Sequence, residues 1–140
     1  MTIQFRTINL NSNGNTDIID ITSQISDFLV SNNTNDGLIT VFTPSATSSL
    51  TTIEYESGCL RDLKVFLDQI INPHQEYFHN ERWGDGNGHS HLRAALLGPS
   101  ISIPFKRKKM ILGTWQQIIF IDFDTRPRNR ELILQIIGDC

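Results

Sequence analysis

Cysteines and long apolar runs are both scarce in this sequence. The two cysteines are Cys59, in an apolar stretch with helical spacing, and Cys140, the final residue, so neither a CxxC redox pair nor a thiolate zinc motif exists. No apolar run approaches the ~20 residues that cross a bilayer. The start, MTIQFRTINL, lacks the basic and apolar regions of a signal peptide. We therefore expect a cytoplasmic protein with no membrane association, and a buried structural thiol at Cys59.

An excess of positive charge is also absent. The formal net charge is -3, from 12 Lys and Arg against 15 Asp and Glu, which disfavours a nucleic-acid partner because such proteins carry a broad basic surface. With 39% hydrophobic and 19% charged residues, the composition is typical of a globular protein. A length of 140 residues predicts one domain, residues 1–140, with a core that needs no metal or disulfide for stability.

Periodicity predicts strands and helices in an irregular order. Alternating segments predict strands at 3–10, 17–21, 38–42, 101–104, 110–123 (one strand, or two broken near Gly113) and 131–137. Helical spacing predicts about three helices, one starting at Thr22 or Ser23 and the others at 58–71 and 91–97. Asn13-Gly14 predicts a hairpin. Without a regular βαβ rhythm, the pattern favours α+β with a mixed or antiparallel sheet, with a sandwich as one arrangement.

The segment 79–93, HNERWGDGNGHSHLR, is the richest in groups that can carry chemistry. His79, His89 and His91 lie within thirteen residues of one another, alongside Glu81, Asp85 and Asn87. Imidazole nitrogens and carboxylate oxygens bind zinc and related ions, and glycines allow the backbone to approach a ligand closely. The alternative is a loop of solvated histidines and acids, which composition alone favours.

The pair His89-x-His91 is a weak motif on its own. At the start of a helix two residues at i and i+2 point in different directions. His91 borders the apolar stripe of that helix, so its ring could face a cleft. The sequence therefore predicts His91 in a pocket more firmly than it predicts both rings there.

Two long stretches of the chain resemble a known family. VFTPSATSSLTTIEYESGCLRDL resembles the YjbQ-like pattern VF-x-PHTTAALT-x-NE-x-E-x-GLL-x-DL. NERWGDGNGHSHLRAALLGPS, followed by IPF and LGTWQQIIFIDFD, resembles the pattern N-x-SHLRA-x-LLG-x-S, VP and LGTWQ-x-I-x-L-x-E-x-D of the same family. The resemblance runs from about residue 20 to residue 138, with three blocks in the correct order.

The resemblance implies an α+β homotrimer with a pocket of histidines and an acid that holds a divalent ion, zinc above others. It implies a small, phosphorylated ligand and a weak thiamine-phosphate synthase activity. The implied catalytic residues are Glu54, His79, His91 and Asn87. The implied substrate-binding residues are Ser45, Thr47, Trp115, Gln116 and Arg93, with Gly113 and Thr114 beside them. The implied metal ligands are His79, His91, His89 and Glu54. The alternatives are a metal- or ligand-binding trimer without catalysis and a purely structural trimer.

One departure from the family pattern affects the expected chemistry. The histidine of the PHTTA block is Ser45 here, the next residue is Ala46, and the asparagine before Glu54 is Ile53. A hydroxyl is a far poorer zinc ligand than imidazole. Either His89 supplies the missing nitrogen, or the ion is weakly held, or the chemistry has been lost.

Trp115 and two basic clusters each have more than one interpretation. Trp115 belongs either to a core or subunit interface or to a pocket wall, and we predict contact with the histidines within one subunit or across an interface. The basic clusters 106–109 and 126–130 are typical of solvated surface, unless one faces a pocket and holds a phosphate. We also predict that His79, His91 and Glu54 converge in one pocket.

Overall fold

The computed structural model describes all residues, Met1–Cys140. The strands are β1 (Thr2–Ser12), β2 (Asp17–Asp20), β3 (Asp36–Phe42), β4 (Ser48–Ile53), β5 (Ser100–Lys106), β6 (Lys109–Met110), β7 (Gln117–Asp122) and β8 (Arg128–Asp139). The helices are α1 (Thr22–Ser31), α2 (Ser57–Ile70), α3 (Phe78–Trp83) and α4 (Gly88–Leu97). None of the four is long and apolar enough to span a membrane.

The strands form two sheets in which every pairing is antiparallel. One sheet has five strands in the order β1-β8-β3-β5-β6, and the other has three in the order β2-β7-β4. The expected α+β class with antiparallel pairing is confirmed, and the helices number four rather than about three.

The main core lies between the two sheets. Ile118 and Phe120 of β7 pack in one buried cluster with residues of the five-stranded sheet such as Ile39 and Leu134. Side chains alternate along a strand, so Ile119 and Ile121 face the other way. There they join a second cluster with Leu67 of α2 and Ala94 of α4. The layers are therefore α2 with α4, the three-stranded sheet and the five-stranded sheet, and β7 is buried on both faces. Helix α1 instead adds Ile25, Phe28 and Leu29 to the main core.

The predicted hairpin at Asn13-Gly14 is wrong. β1 pairs with β8 and β2 pairs with β7, so the turn carries the chain from one sheet to the other. Gly14 has φ 72°, and a Cβ there would lie 2.6 Å from the carbonyl oxygens of Asp124 and Arg126. Glycine is needed here because the two chain segments cross closely and φ is positive. A local sequence pattern does not distinguish such a crossing from a hairpin turn.

Two elements were not predicted, and one expected strand is divided. No element was predicted for residues 48–53, which form β4 by pairing with the apolar β7. No helix was predicted for residues 78–83, which form the short α3. Between Met110 and Gln117 the chain leaves the sheet, so 110–123 is two strands.

The outward face of the five-stranded sheet carries exposed apolar side chains. They are Ile3, Phe5, Leu38, Phe42 and Ile137. Several pair across the strands, as Ile137 does with both Ile3 and Leu38. Cys59, expected to be buried, is only half-buried.

Candidate functional site

His79 and His91 come together although they belong to different helices. His79 lies in α3 and His91 in the first turns of α4, and their ring centroids are 4.4 Å apart at an interplanar angle of 40°. Both residues are half-buried. Of the predicted site residues, these two form the centre of the candidate site.

The loop between α3 and α4 is tied to the helices it joins. Asn80 accepts a hydrogen bond from the backbone N–H of Gly88 at 2.8 Å, and Asp85 accepts one from Asn87 at 3.1 Å. A Cβ at Gly88 would lie 2.7 Å from the Cβ of Tyr77, so glycine permits the close packing of the two helices. The glycine-rich loop thereby sets the distance between the two imidazoles.

The imidazole of His79 has an unused polar atom. Its Nδ1 is buried without a hydrogen-bond partner, and the nearest acid oxygen, Asp85 Oδ1, lies 3.5 Å away. Two imidazoles and a carboxylate are the donor chemistry that divalent zinc prefers. No three side chains of His, Cys, Asp or Glu within one chain are positioned to hold an ion. The donors therefore fit a metal in kind, with Asp85 rather than Glu54 as the neighbouring carboxylate.

Ser45 shares a hollow with one histidine of the pair, His91. Ser45, Ser48 and His91 line one hollow of about 270 Å³. Ser45 also lines a larger hollow of about 650 Å³ that contains Arg130. The position at which the family pattern has a histidine thus lies beside His91, between this imidazole and a guanidinium.

A buried network of acids and guanidinium groups lies behind Ser45. Arg130 donates from Nε to Asp122 Oδ2 at 2.7 Å and from Nη2 to Thr47 Oγ1 at 2.8 Å. Arg128 approaches Asp124 Oδ2 at 3.1 Å, and Thr47 donates to the same oxygen at 3.1 Å. Asp122 and Asp124 are almost fully buried, so each needs these partners to stay ionised away from water.

Asn87 connects this network to the histidine loop. Its amide donates to Asp124 Oδ1 at 3.4 Å, while its own Oδ1 is buried without a partner. Thr47 and Asn87 therefore meet at Asp124, and of the three predicted residues only Ser45 lines the hollow that contains His91.

The protonation of Asp124 reflects the balance in this network. Burial acts to raise the pKa of Asp124, but the hydrogen bond from Thr47 and the charge of Arg128 outweigh it and hold the pKa below its ordinary value. The pKa of Arg130 is raised, chiefly by its hydrogen bond to Asp122. Both groups are ionised at neutral pH.

Asp122, Asp124, Arg128 and Arg130 were not predicted as site residues. The sequence does contain a signal for them, because Asp-x-Asp closes β7 and continues just beyond it, and Arg-x-Arg begins β8 with like charges on one strand face. Two acids that follow an apolar buried strand require cationic partners. The interpretation of 126–130 as solvated surface was wrong for Arg130, which is only 14% exposed.

Glu54 and Trp115 lie at the other end of the three-stranded sheet. Ser48 pairs with Asp122 and Ile53 with Gln117, so the strands run from the histidine end to the Glu54 end. At ~3.3 Å per residue, Glu54 lies about 20 Å along the chain from Ser48. It lines a separate hollow with Thr114 and Trp115.

The predicted convergence of Glu54 with the histidines is therefore wrong within one chain, as is the proposed ligand set of His79, His89, His91 and Glu54. Gln116 lies at the same far end, where its side chain accepts from the N–H of Gly113 at 2.7 Å. Trp115 is 72% exposed and belongs to no core of the single chain. Contact between Trp115 and the histidines across an interface stays a prediction.

His89 and Arg93 face away from His91. Successive helix residues rotate by ~100°, so His89 lies about 200° from His91. Arg93, four residues after His89, lies on the same side of the helix as His89. Arg93 donates to Ile71 O, Thr16 Oγ1 and Asp68 Oδ1 at 2.8–3.2 Å and is 2% exposed. It is a structural tie in this chain, which corrects its predicted contact with the same substrate as His91.

Comparisons with known proteins identify the family of the chain. A family model described as UPF0047 protein YjbQ-like matches residues 6–139. A UPF0047 protein of Archaeoglobus fulgidus is 39% identical over 121 residues, 86% of this chain and 91% of the relative. A UPF0047 protein of Methanothermobacter thermautotrophicus is 36% identical over 138 residues, 99% of this chain and 94% of the relative.

Two solved structures extend the likeness to the fold. A YbjQ-like protein of unknown function from Sulfolobus solfataricus matches with a TM-score of 0.93 and 25% identity, over 99% of both chains. An uncharacterized conserved protein of the yjbq/upf0047 family from Clostridium acetobutylicum matches with a TM-score of 0.86 and 34% identity, over 94% of this chain and 99% of the other. The chain belongs to the UPF0047 YjbQ-like family.

Proposed function

We propose that this protein is a metal-assisted enzyme acting on a small phosphorylated molecule, with His79 and His91 as the ligands of a divalent ion. The observation that carries the proposal is the approach of the two imidazoles, at 4.4 Å between centroids, with His79 Nδ1 buried and unpaired. A buried imidazole nitrogen without a partner is costly unless something binds it.

The side chains around the pair have separable roles in this proposal. Asp85, 45% exposed, can turn toward the ion as a third ligand. When bound, the ion would polarise a phosphoryl oxygen or an attacking water. Asn87 would act from behind the site, since its amide donates to Asp124 and its own Oδ1 is buried. Ser45 stands where the family pattern has a histidine. Its side chain is smaller and its hydroxyl is a weaker metal ligand than imidazole.

The proposed phosphate would bind on the side of Ser45 that carries Arg130. Arg130 and Ser45 line one hollow, and Ser45 and His91 line the adjoining one. A phosphorylated substrate that spans Ser45 would therefore place its phosphate near a guanidinium and its reacting part near the imidazoles. A weak thiamine-phosphate synthase activity would be one expression of such a site.

The second candidate function is binding of a metal or small ligand without catalysis. Ser45 favours it, because a site with one imidazole fewer activates water less effectively. Turnover of thiamine-phosphate precursors by the untagged protein separates the two, since only the first candidate gives product.

We expect zinc to bind the untagged protein at pH 7.5, and His91→Ala to weaken binding at least about a hundredfold. Loss of a partner that only orients a ligand already costs about 10–100-fold, and here the ligand itself is removed. Binding needs deprotonated ligands and releases their protons, so affinity should fall as the pH is lowered. Isothermal calorimetry measures both effects.

His74→Ala is the matched control, because His74 is an exposed imidazole that lies apart from the pair. It should bind zinc as the wild type does. Absence of zinc, manganese and calcium binding by the wild type, or equal loss in both variants, would contradict the metal assignment.

We further propose that the protein works as a homotrimer. The apolar side chains on the outer face of the five-stranded sheet and the exposed Trp115 support an association of copies. An adjacent copy would be the means of bringing Glu54 and Trp115 to the histidines. Sedimentation equilibrium at micromolar concentration should give three times the monomer mass of 15.9 kDa, and a stable monomer would count against it.

A further inference from the structure

We propose that the basic hairpin, residues 106–109, is a docking site for inorganic polyphosphate, a linear chain of phosphate groups. The hairpin joins β5 to β6 through a two-residue turn, Arg107 and Lys108, because Lys106 pairs with Lys109. Strand β3 begins beside this turn and ends just before the candidate site. The basic hairpin and the candidate site therefore lie at opposite ends of the five-stranded sheet.

Three of the four basic side chains have no partner within the protein. Those of Lys106, Arg107 and Lys109 are exposed, and none of them forms an ion pair or a side-chain hydrogen bond. Lys106 and Lys109 also lie directly opposite each other on β5 and β6. Like charges in such a pair destabilise a sheet. The positive charge of the hairpin is therefore not used in holding the fold together.

The turn has a conformation that its residues disfavour. Arg107 has φ 50° and Lys108 has φ 60°, whereas a two-residue hairpin turn with positive φ at both positions normally carries Asn-Gly. Non-glycine residues held in such a conformation cluster at binding and switch sites. A lysine on an edge strand can prevent the pairing of exposed edges. That role does not require an arginine in the turn itself, so edge protection leaves Arg107 unexplained.

The fourth basic residue and the backbone fix the position of the turn. Lys108 Nζ donates to the carbonyl of Asn32 at 2.5 Å, just after the end of α1. The backbone N–H of Lys108 donates to Asn35 O at 2.8 Å, and that of Arg107 donates to Asp36 Oδ1 at 2.7 Å. The three free cations thus extend from a fixed backbone, so less conformational freedom is lost when an anion binds.

The surroundings favour a bare phosphate chain over a nucleic acid or a membrane. Phe105, the aromatic residue next to the hairpin, is 2% exposed, so it offers no ring on which a base could stack. Asp36 and Asp139 pair across β3 and β8 beside the hairpin, and both would repel a larger anionic surface. A single phosphate chain can contact the three cations alone, each of them through a phosphoryl oxygen.

The test is isothermal calorimetry of the full-length protein with long-chain inorganic polyphosphate. Polythymidylate and vesicles of equal parts phosphatidylserine and phosphatidylcholine are titrated at the same phosphate concentration. We expect saturable binding of polyphosphate, with an affinity that falls as the salt concentration rises because counterions are released. The other two should bind more weakly. Tighter binding of either one, or no binding of polyphosphate, would overturn the assignment.

Lys109→Gln should weaken polyphosphate binding about tenfold, the effect of one charged hydrogen bond. It should also lower the slope of log affinity against log salt concentration by about one. Lys64→Gln is the matched control, because Lys64 is exposed on α2 outside the hairpin and has no partner. It should bind as the wild type does. Equal losses in the two variants would show attraction to the whole protein and refute the hairpin site.

Arg107→Asn separates binding from folding. Asparagine tolerates positive φ better than arginine, so the melting temperature should stay the same or rise. The affinity for polyphosphate should nevertheless fall about tenfold, since one cation is removed. Unchanged affinity in this variant would contradict the proposal, as would a loss of affinity that occurs only with a fall in the melting temperature.

Discussion

Replacing Arg130 by alanine is expected to lower the free energy of unfolding by about 3 kcal/mol. The guanidinium is 14% exposed and compensates Asp122, which is fully buried. Removing one partner of a buried ion pair leaves an uncompensated charge at a typical cost of 3–5 kcal/mol. The lower end applies because Arg128 still approaches Asp124. Urea unfolding measures the change, and the melting temperature should fall by about 10 °C.

Arg126→Ala is the control for this measurement. Arg126 lies two residues before Arg128, is exposed and makes no side-chain hydrogen bond or ion pair, so its loss should cost under about 0.5 kcal/mol. Equal effects of the two variants would show that the buried network contributes little to stability.

Replacing Arg130 by alanine should also change how the stability depends on acidic pH. In the wild type the pKa of Asp124 lies below its unfolded value of about 3.9, so its contribution to stability is present above that pH and is lost as the pH falls through the folded pKa. Arg130 is one cause of the lowering. The difference between variant and wild type should therefore shrink below about pH 4.

The largest loss of stability is expected for Phe120→Ala. Phe120 is completely buried between the two sheets, in the cluster that contains Leu50 and Ile136. Phenylalanine-to-alanine changes in a core cost about 3–5 kcal/mol, from lost burial and from the cavity left behind. Urea unfolding should thus give a decrease of about 4 kcal/mol with an unchanged dependence on denaturant.

Phe42→Ala provides the matched comparison on the outer face of the five-stranded sheet. Phe42 is 41% exposed, so its replacement should cost about 1 kcal/mol or less in the monomer. A loss close to that of Phe120, measured at a concentration at which copies associate, would mean that Phe42 is covered by another copy.

Much of the fold follows from local patterns, and its failures have physical causes. The strands β1, β3 and β8 and the helices α1 and α2 follow from alternation and helical spacing, because each buries one face. β4 carries mostly serine and threonine, so its local pattern is weak. It forms by pairing with the apolar β7, which lies far along the sequence. The turn at Gly14 connects two sheets, which depends on Asp124 and Arg126, over 100 residues away.

In the candidate site, too, residues close in sequence were placed correctly and a distant one was not. His79, His91 and Asn87 lie within one short segment, so their proximity follows from the loop that joins them. Glu54 was placed with them through the family pattern, and that pattern does not contain the pairing of β4 with β7 that holds it at the far end of the sheet. Whether a site joins residues of one copy or two is a property of the assembly.

The order of the strands has a consequence for how the chain folds during its synthesis. β1 has only β8 as a strand partner, and β2 and β4 have only β7. Both central strands lie within residues 117–139, so three earlier strands stay unpaired until this stretch has left the ribosome. At ~5–20 residues per second, the apolar side chains of β1 and β2 are exposed for several seconds. Because β1 and β2 pair with strands far along the chain, sheet formation must wait for this stretch and is expected to be slow.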